Sequence, residues 1–428
     1  MKILHVNTYD TGGAAIAIRR IHEGLLKQGV DSKLLLLYKT QNIPQSYSFR
    51  DTLPKVELPK TNLFKRIGRR TRNEIEKFIQ SIFYKQRNER LKKQKESLKE
   101  IISKVEMFTY PYSGYDITEH PLYKEADIIQ LNWVSGFLDE PSFFKKNKKP
   151  VVWRMPDLYT CGGGYHYEMN FLFEELKNEI LNNCKIREEA LQNASIVFVP
   201  ISNWLKQKAE ESSLIQKFEK HVIHNGVDLS VFKPMDKKEA RVLFNLPLNK
   251  KILLFGADNL KNKRKGFDFL LRALRLISIT DVVFCAFGRN DDFQDLNIIN
   301  VGHISEVRLL CMLYSAADLF IMPSIEEAFG QVTIEALACG TPVVSFPSGG
   351  SLDIIKNGFN GFMAKDFTEK SLADSIRIAL NFVFDKQRIR KDIEDRFNIK
   401  NKADNYIDLY KKILNQESSH KDKNIHIE

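Results

Sequence analysis

Two glutamates and the helix start between them have the clearest chemical use in this chain. Glu327 and Glu335 stand with seven residues between them in the stretch Pro323–Ser345, PSIEEAFGQVTIEALACGTPVVS. Asp318–Met322 reads as an apolar strand closed by Pro323. Gly330 opens a helix to about Ala338, Gly340 stops it, and Thr341-Pro342 leads into a buried strand at Val343–Ser345. The backbone N–H groups of Phe329, Gly330, Gln331 and Val332 then sit at a helix start. Free donors and the positive end of the helix dipole make such a start an anion site. A carboxylate one turn further on can accept two hydrogen bonds from a vicinal diol. A phosphate pocket, a diol acceptor and a loop acid match the groups of a sugar nucleotide.

These residues need a scaffold, and alternating strands and helices supply one. Lys251–Gly256 (KILLFG) is a strand, and Arg264-Lys265-Gly266-Phe267 opens the helix after it. A basic pair at a helix start can clamp a diphosphate and neutralise charge on a leaving group. Asp281–Gly288 and Ile298–Val301 are further strands. Earlier in the chain, strand Lys2–Asn7, turn Asp10-Thr11-Gly12-Gly13, helix Ala14–Lys27 and strand Lys33–Tyr38 open another α/β unit. That turn is not G-x-G-x-x-G, so no dinucleotide cofactor is indicated. Strands recur at Asp127–Trp133, Lys149–Arg154 and Ser195–Pro200, with helix expected from Glu168 to Ala194. Phe232-Lys233-Pro234 reads as a linker. The pattern predicts two doubly wound parallel-sheet domains, residues 1–228 and 229–399, facing a cleft. Their strand ends would bring Gly12, Gly13, Asp157, Lys265 and Glu327 towards one ligand. Thr368–Arg396 reads as helix, Lys400–Leu414 as a last helix, and residues 415–428 as a polar, disordered tail.

Residues 40–112 are too long for an ordinary connection and read as an insertion in the first domain. The chain carries +11 overall, and Lys55–Lys104 holds 16 Lys or Arg against 6 Glu, so the charge is concentrated there. Ile67, Ile75, Phe78, Ile79, Ile82 and Phe83 interleave with basic residues in the pattern of a basic amphipathic helix. Such a helix either lies on an anionic membrane or packs on the body with a solvated basic face. Aromatic residues suited to base stacking are sparse in the segment, so nucleic acid is not the expected partner. Five scattered cysteines argue against a disulfide framework and for a reducing, cytoplasmic setting. No apolar run is long enough to span a bilayer, and MKILHVN starts a strand rather than a signal peptide. Cys161, Cys184 and His166 fit no standard metal spacing, and no metal is expected.

The run from Glu327 to Glu335, with Phe329-Gly330 after the first acid and the tail EALACGTPVV, resembles the signature of retaining glycosyltransferases of family 4, the group 1 glycosyltransferases. The resemblance implies a GT-B fold and transfer of a sugar from a nucleoside-diphosphate sugar, with retained configuration and no metal or other cofactor. It implies that Glu335 holds the ribose, that Glu327 and the loop to Val332 hold the donor sugar and distal phosphate, and that Lys265 and Arg264 hold the diphosphate. Gly12-Gly13 would lie under the donor, the first domain would be the acceptor side, and the last helix would cross back to it. ADIIQLNWVSGFL and the segment Pro156-Asp157 to His166-Tyr167 are similar to a subgroup that assembles surface polysaccharides of the colanic-acid type. The implied acceptor is a glycan, lipid-linked, in surface polysaccharide or lipopolysaccharide synthesis at the inner face of the cell membrane. Asp157 would orient donor or acceptor hydroxyls. The chain departs from the pattern at Pro156, where the family has a histidine that touches the donor sugar. A proline side chain neither hydrogen-bonds nor carries charge. A second reading follows, a catalytically weak or inactive sugar-nucleotide-binding partner subunit.

Overall fold

The computed structural model describes residues 1–52, 99–259, 261–277, 281–289 and 298–425. Most of the basic segment 55–104 lies outside them, and so does its expected amphipathic helix. Both predicted parallel sheets are present. The first has seven strands: β1 (Lys2–Tyr9), β2 (Asp31–Tyr38), β3 (Ser46–Ser48), β4 (Ile128–Leu131), β5 (Val151–Met155), β6 (Ile196–Pro200) and β7 (Glu219–Lys220). Their order is β3-β2-β1-β4-β5-β6-β7. The second has six: β8 (Lys251–Asn259), β9 (Val282–Arg289), β10 (Ile298–Asn300), β11 (Leu319–Met322), β12 (Val343–Ser345) and β13 (Gly361–Met363), in the order β10-β9-β8-β11-β12-β13.

Each order reverses direction once, between β1 and β4 and between β8 and β11. Loops leaving such a pair part in opposite directions and open a crevice at the strands' carboxyl ends. The central strands are mainly apolar on both faces, as sheets covered on both sides require. β11, for example, is buried along its whole length and pairs with β8 through Leu319↔Leu253 and Ile321↔Phe255. Phe255, Leu270, Leu274, Ile321, Phe346 and Ile376 belong to one core cluster of the second sheet.

By contacts the chain forms two compact units, neither continuous in sequence. The first comprises residues 1–10, 30–197 and 212–219. The second comprises residues 11–29, 198–211 and 220–428. Helix α1 (Gly13–Lys27) therefore belongs with the second unit although it follows β1 in the chain. It meets the C-terminal helix closely: a Cβ on Gly24 would lie 3.2 Å from the Ala403 Cβ.

Four expectations need correction. Within the segment read as an insertion, Ser46–Ser48 adds a parallel edge strand to β2, with Leu35 opposite Tyr47. Helix α2 (Lys177–Leu191) begins later than Glu168, after a run of turns. Thr368–Arg396 is two helices, α3 (Glu369–Asn381) and α4 (Lys386–Phe397). Asp385 breaks the run because its carboxylate caps the second helix through the N–H groups of Gln387 and Arg388. The polar tail is helical: α5 runs Ile399–Ile425. Its last turns contain Gln, Glu, Lys and no Gly or Pro, so nothing there stops a helix already nucleated upstream.

Candidate functional site

The loops after β8 and β11 build the site of the second unit. After β8, Asn262 turns the chain by accepting from the Arg264 N–H at 3.0 Å, and Lys263–Lys265 forms one 3-10 turn. Gly266 follows at φ 68°, where an added Cβ would lie 1.8 Å from the Pro323 carbonyl oxygen. The two loops are thus in backbone contact. The Ile325 N–H donates to the Arg264 carbonyl at 2.9 Å, and Arg264 Nη1 donates to the Glu326 carbonyl at 2.8 Å. Arg264 is buried and spends that nitrogen on holding the β11 loop.

Lys265 Nζ donates to Glu327 Oε2 at 2.7 Å. Burial alone would raise the Glu327 carboxyl. The charges of Lys265 and Arg264 outweigh it, with hydrogen bonds from Lys265 and the Phe329 N–H, so the group is held below the usual carboxylate range. Glu327 is therefore ionised at neutral pH, with a half-buried cation beside it.

The acid's backbone is clamped from the far side. The Gly350 N–H donates to the Glu327 carbonyl at 2.9 Å. Gly349 has φ 43°, and a Cβ there would lie 1.9 Å from that same carbonyl oxygen. A Cβ on Gly350 would meet the Phe329 Cα at 2.2 Å. Phe329 is buried, with the rings of His224 and Phe397 at 5.7 and 5.8 Å.

Gly330, at φ 98°, leads into helix α6 (Gln331–Ala338), and no side chain caps that start. The Thr333 N–H makes the first turn's bond, to Gly330 at 3.0 Å, so the N–H groups of Gln331 and Val332 precede the intrahelical ladder. On the second turn Glu335 is buried. Its Oε1 accepts from Arg20 Nη2 at 2.7 Å, and its Oε2 lies 3.4 Å from the Tyr314 hydroxyl, a long contact. Among the described residues no group of His, Cys, Asp and Glu is arranged to hold a metal ion.

Of the residues singled out in the sequence, Gly12, Gly13, Arg264, Lys265, Glu327, Phe329, Gly330, Gln331, Val332 and Glu335 all belong to this second unit. Asp157 belongs to the first, in a buried network. Its Oδ2 accepts from Trp133 Nε1 at 3.0 Å and faces His166 Nδ1 at 2.8 Å, while Oδ1 accepts from the Tyr159 N–H at 3.0 Å. His166 Nε2 faces the Thr109 hydroxyl at 2.9 Å. His166 is fully enclosed, so this carboxylate fixes the Trp133 indole and the imidazole in place. The three glycines before it make the close approach possible: a Cβ on Gly163 would lie 2.3 Å from the Ile180 carbonyl oxygen. Beneath, Arg187 and Glu140 form a fully buried ion pair at 3.0 Å, and Tyr159 donates to Glu140 at 2.6 Å. At the carboxyl ends of β1, β2 and β4, Tyr9 stacks on Tyr38 at 5.0 Å and lies 5.6 Å from Trp133, with Arg50 4.3 Å over Tyr38.

Sequence reasoning missed Arg20 and the Gly349-Gly350 clamp. Arg20 carried a weak signal, an Arg-Arg pair in the middle of a helix that follows a glycine turn.

Residues 236–396 match the family model described as "Glycosyl transferases group 1". A D-inositol 3-phosphate glycosyltransferase from Catenulispora acidiphila is 32% identical over 182 residues, 38% of this chain and 43% of the relative. A D-inositol 3-phosphate glycosyltransferase from Mycobacterium bovis is 30% identical over 168 residues, 36% of this chain and 35% of the relative. The chain thus spans less than half the length of these curated relatives. Among solved structures, a sucrose-phosphate synthase from Thermosynechococcus elongatus superposes with a TM-score of 0.65 at 18% identity, covering 97% of this chain and 100% of the other. The Anabaena protein HepE in complex with UDP and glucose superposes with a TM-score of 0.61 at 16% identity, covering 96% and 99%. The fold is GT-B-like, two Rossmann-like parallel-sheet units.

Proposed function

We propose that this chain is a retaining, metal-independent glycosyltransferase. It moves a sugar from a nucleoside-diphosphate sugar to a hydroxyl of a glycan acceptor. The Lys265–Glu327 ion pair carries the reading. It sits where the second sheet reverses its order, next to an uncapped helix start whose second turn bears Glu335. Lys265 and the N–H groups of Gln331 and Val332 draw off the departing diphosphate, which lowers the barrier as the glycosidic bond breaks. Glu327 orients the donor sugar and Glu335 the ribose. Arg264 holds the loop, and the Gly12-Gly13 turn at the head of α1 contributes small backbone near the ligand.

The family match over residues 236–396 supports the donor half of this reading. The acceptor half rests on other grounds. The similarity to D-inositol 3-phosphate glycosyltransferases covers 38% of the chain, too little to carry their acceptor over. The aromatic row Tyr9, Tyr38 and Trp133 and the motif around Asp157 favour a glycan. In this reading the glycan is lipid-linked, the pathway makes surface polysaccharide or lipopolysaccharide, and the basic segment 55–104 touches an anionic, cytoplasmic membrane face. Asp157 acts here by fixing Trp133 and His166. Among the described residues no helix is long and apolar enough to cross a membrane.

The test is calorimetric titration with UDP-, GDP- and ADP-sugars, followed by turnover of the one that binds, with anomeric analysis of the product. Binding without metal and a retained anomer are expected. No binding to any of them overturns the proposal. A second reading, a sugar-nucleotide-binding partner subunit, is favoured by Pro156. It predicts binding without turnover until another protein is added.

A further inference from the structure

Glu335 has a partner that comes from far away in the chain. Arg20 lies 315 positions earlier, on α1, and its Nη2 donates to Glu335 Oε1 at 2.7 Å. Both side chains are largely withdrawn from solvent, at 13% and 7% exposure. A carboxylate so placed needs a charged or hydrogen-bonding partner to offset its lost hydration. The Tyr314 hydroxyl at 3.4 Å is too far to meet that need alone.

Arg20 is itself pinned. Its guanidinium carbon lies 5.0 Å from the centre of the Phe232 ring. A cation over an aromatic face and a hydrogen bond at its edge fix the plane of the group. Its Nη1 is buried and has no hydrogen-bond partner among the described residues. One oxygen of Glu335 is therefore tied to a rigid donor, and the other keeps lone pairs to offer.

Arg20 also stands seven residues after Gly13, on the same face of α1 two turns on, about 10.5 Å along the axis. One helix thus connects the glycine turn to the Glu335 carboxylate, and α1 belongs to the unit that carries Glu335.

We propose that Arg20 is a positioning residue that orients the Glu335 carboxylate towards the ribose diol of the nucleotide. The inference rests on the donor-site reading above. By holding Oε1, Arg20 turns Oε2 towards the two vicinal hydroxyls and offsets the charge of a carboxylate that would otherwise be buried alone.

The experiment compares the full-length parent with Arg20→Met, Arg20→Lys, Glu335→Gln and the double variant Arg20→Met/Glu335→Gln. Affinities are measured for UDP, GDP and ADP and for their 2′-deoxy counterparts, and melting temperatures are recorded. The double variant replaces a charged pair by a neutral one, so it keeps the test alive if Arg20→Met alone folds poorly. The parent should prefer the ribo form about tenfold or more, the scale of a hydrogen bond to a charged group. In Arg20→Met that preference should collapse towards one. Arg20→Lys should recover part of it, and the double variant should bind no worse than Glu335→Gln.

A ribo preference unchanged in Arg20→Met overturns the inference, whatever happens to the melting temperature. Losses that multiply in the double variant overturn it too. If Glu335→Gln weakens binding while Arg20→Met is silent, the inference alone falls. If Glu335→Gln binds every nucleotide as the parent does, or the parent binds none, the donor-site reading falls with it.

Discussion

Lys265 and Glu327 meet at 2.7 Å although they leave different strands, β8 and β11. The strands are neighbours, and the sheet reverses its order between them. The pair is a property of the topology, since only loops at that reversal point diverge around a shared crevice. Removing the cation tests its role. Lys265→Ala should lower turnover about 10²–10³-fold, the scale for losing one preorganised donor to a leaving group. Its melting temperature at neutral pH should fall as well, because Glu327 is then enclosed without its nearest cation, so rates are compared well below the variant's melting temperature. Steady-state rates with the preferred donor decide this, and a rate within a factor of two of the parent contradicts it.

The same pair makes a prediction about acid stability. The Glu327 carboxyl sits below its ordinary value in the folded chain: burial pushes it up, but Lys265, Arg264 and the Phe329 N–H pull it further down. Its contribution is therefore complete above the unfolded value, about pH 4.3, and is lost as pH falls through the folded value. In Lys265→Met the largest downward influence is gone while burial remains. Thermal melts between pH 3 and pH 7 should show the variant losing stability at higher pH than the parent. Superimposable acid limbs would refute the assignment.

Lys402 acts in the opposite direction. It is buried, with its ammonium 5.7 Å from the Phe397 ring. Burial and the nearby Arg396 charge push its pKa down to about 8. Below that pH the ammonium is charged in both states, and the folded chain bears the full cost of enclosing it. As pH rises from about 8 towards the unfolded value near 10.4, the folded group loses its proton first and stability climbs. Lys402→Met should stabilise the protein by about 2–3 kcal/mol at pH 7, with the gain falling below about 1 kcal/mol near pH 10. Denaturant unfolding at the two pH values measures it; a gain that does not depend on pH points to packing instead.

Gly349 and Gly358 form a controlled comparison. Both have positive φ, 43° and 71°. A Cβ on Gly358 meets nothing within 4 Å, whereas one on Gly349 would strike the Glu327 carbonyl oxygen at 1.9 Å. Gly358→Ala should cost about 1–2 kcal/mol, the strain of the left-handed conformation alone. Gly349→Ala adds a backbone clash and should cost at least about 3 kcal/mol, while displacing Glu327. Equal costs in equilibrium unfolding would show that the clamp yields freely.

What the sequence disclosed follows the range of the interactions involved. The places of Glu327, Lys265 and Glu335 after strand ends and on a helix were legible because strand ends, a helix start and a glycine stop are local signals. Arg20 was not, because its partner is 315 positions away and the residue beside it behaves as an ordinary surface cation: Arg19 pairs with Glu23 one turn on, at 2.8 Å. Asp157 reads as an available acid because its side-chain partners are not its sequence neighbours; only the Tyr159 N–H is close, two positions on. Its consumers include Trp133, 24 positions earlier. Gly349-Gly350 reads as a plain turn, since the demand for glycine comes from the backbone of Glu327 and Phe329. The tail after Leu414 reads as disorder from its polarity alone, yet α5 continues to Ile425 because no residue there interrupts it.

The membership of α1 determines how this protein can be taken apart. A fragment of residues 220–428 would retain the family-matched segment but lose residues 198–211, Arg20 and the surface that Gly24 presents to Ala403. Such a truncation should be soluble only poorly and bind nucleotide weakly, and a synthetic peptide spanning residues 11–29 should restore both only in part, since residues 198–211 of the same unit are still missing. Fusing residues 11–29 and 198–211 ahead of residues 220–428, rather than cutting the chain once, is the way to obtain an autonomous second unit.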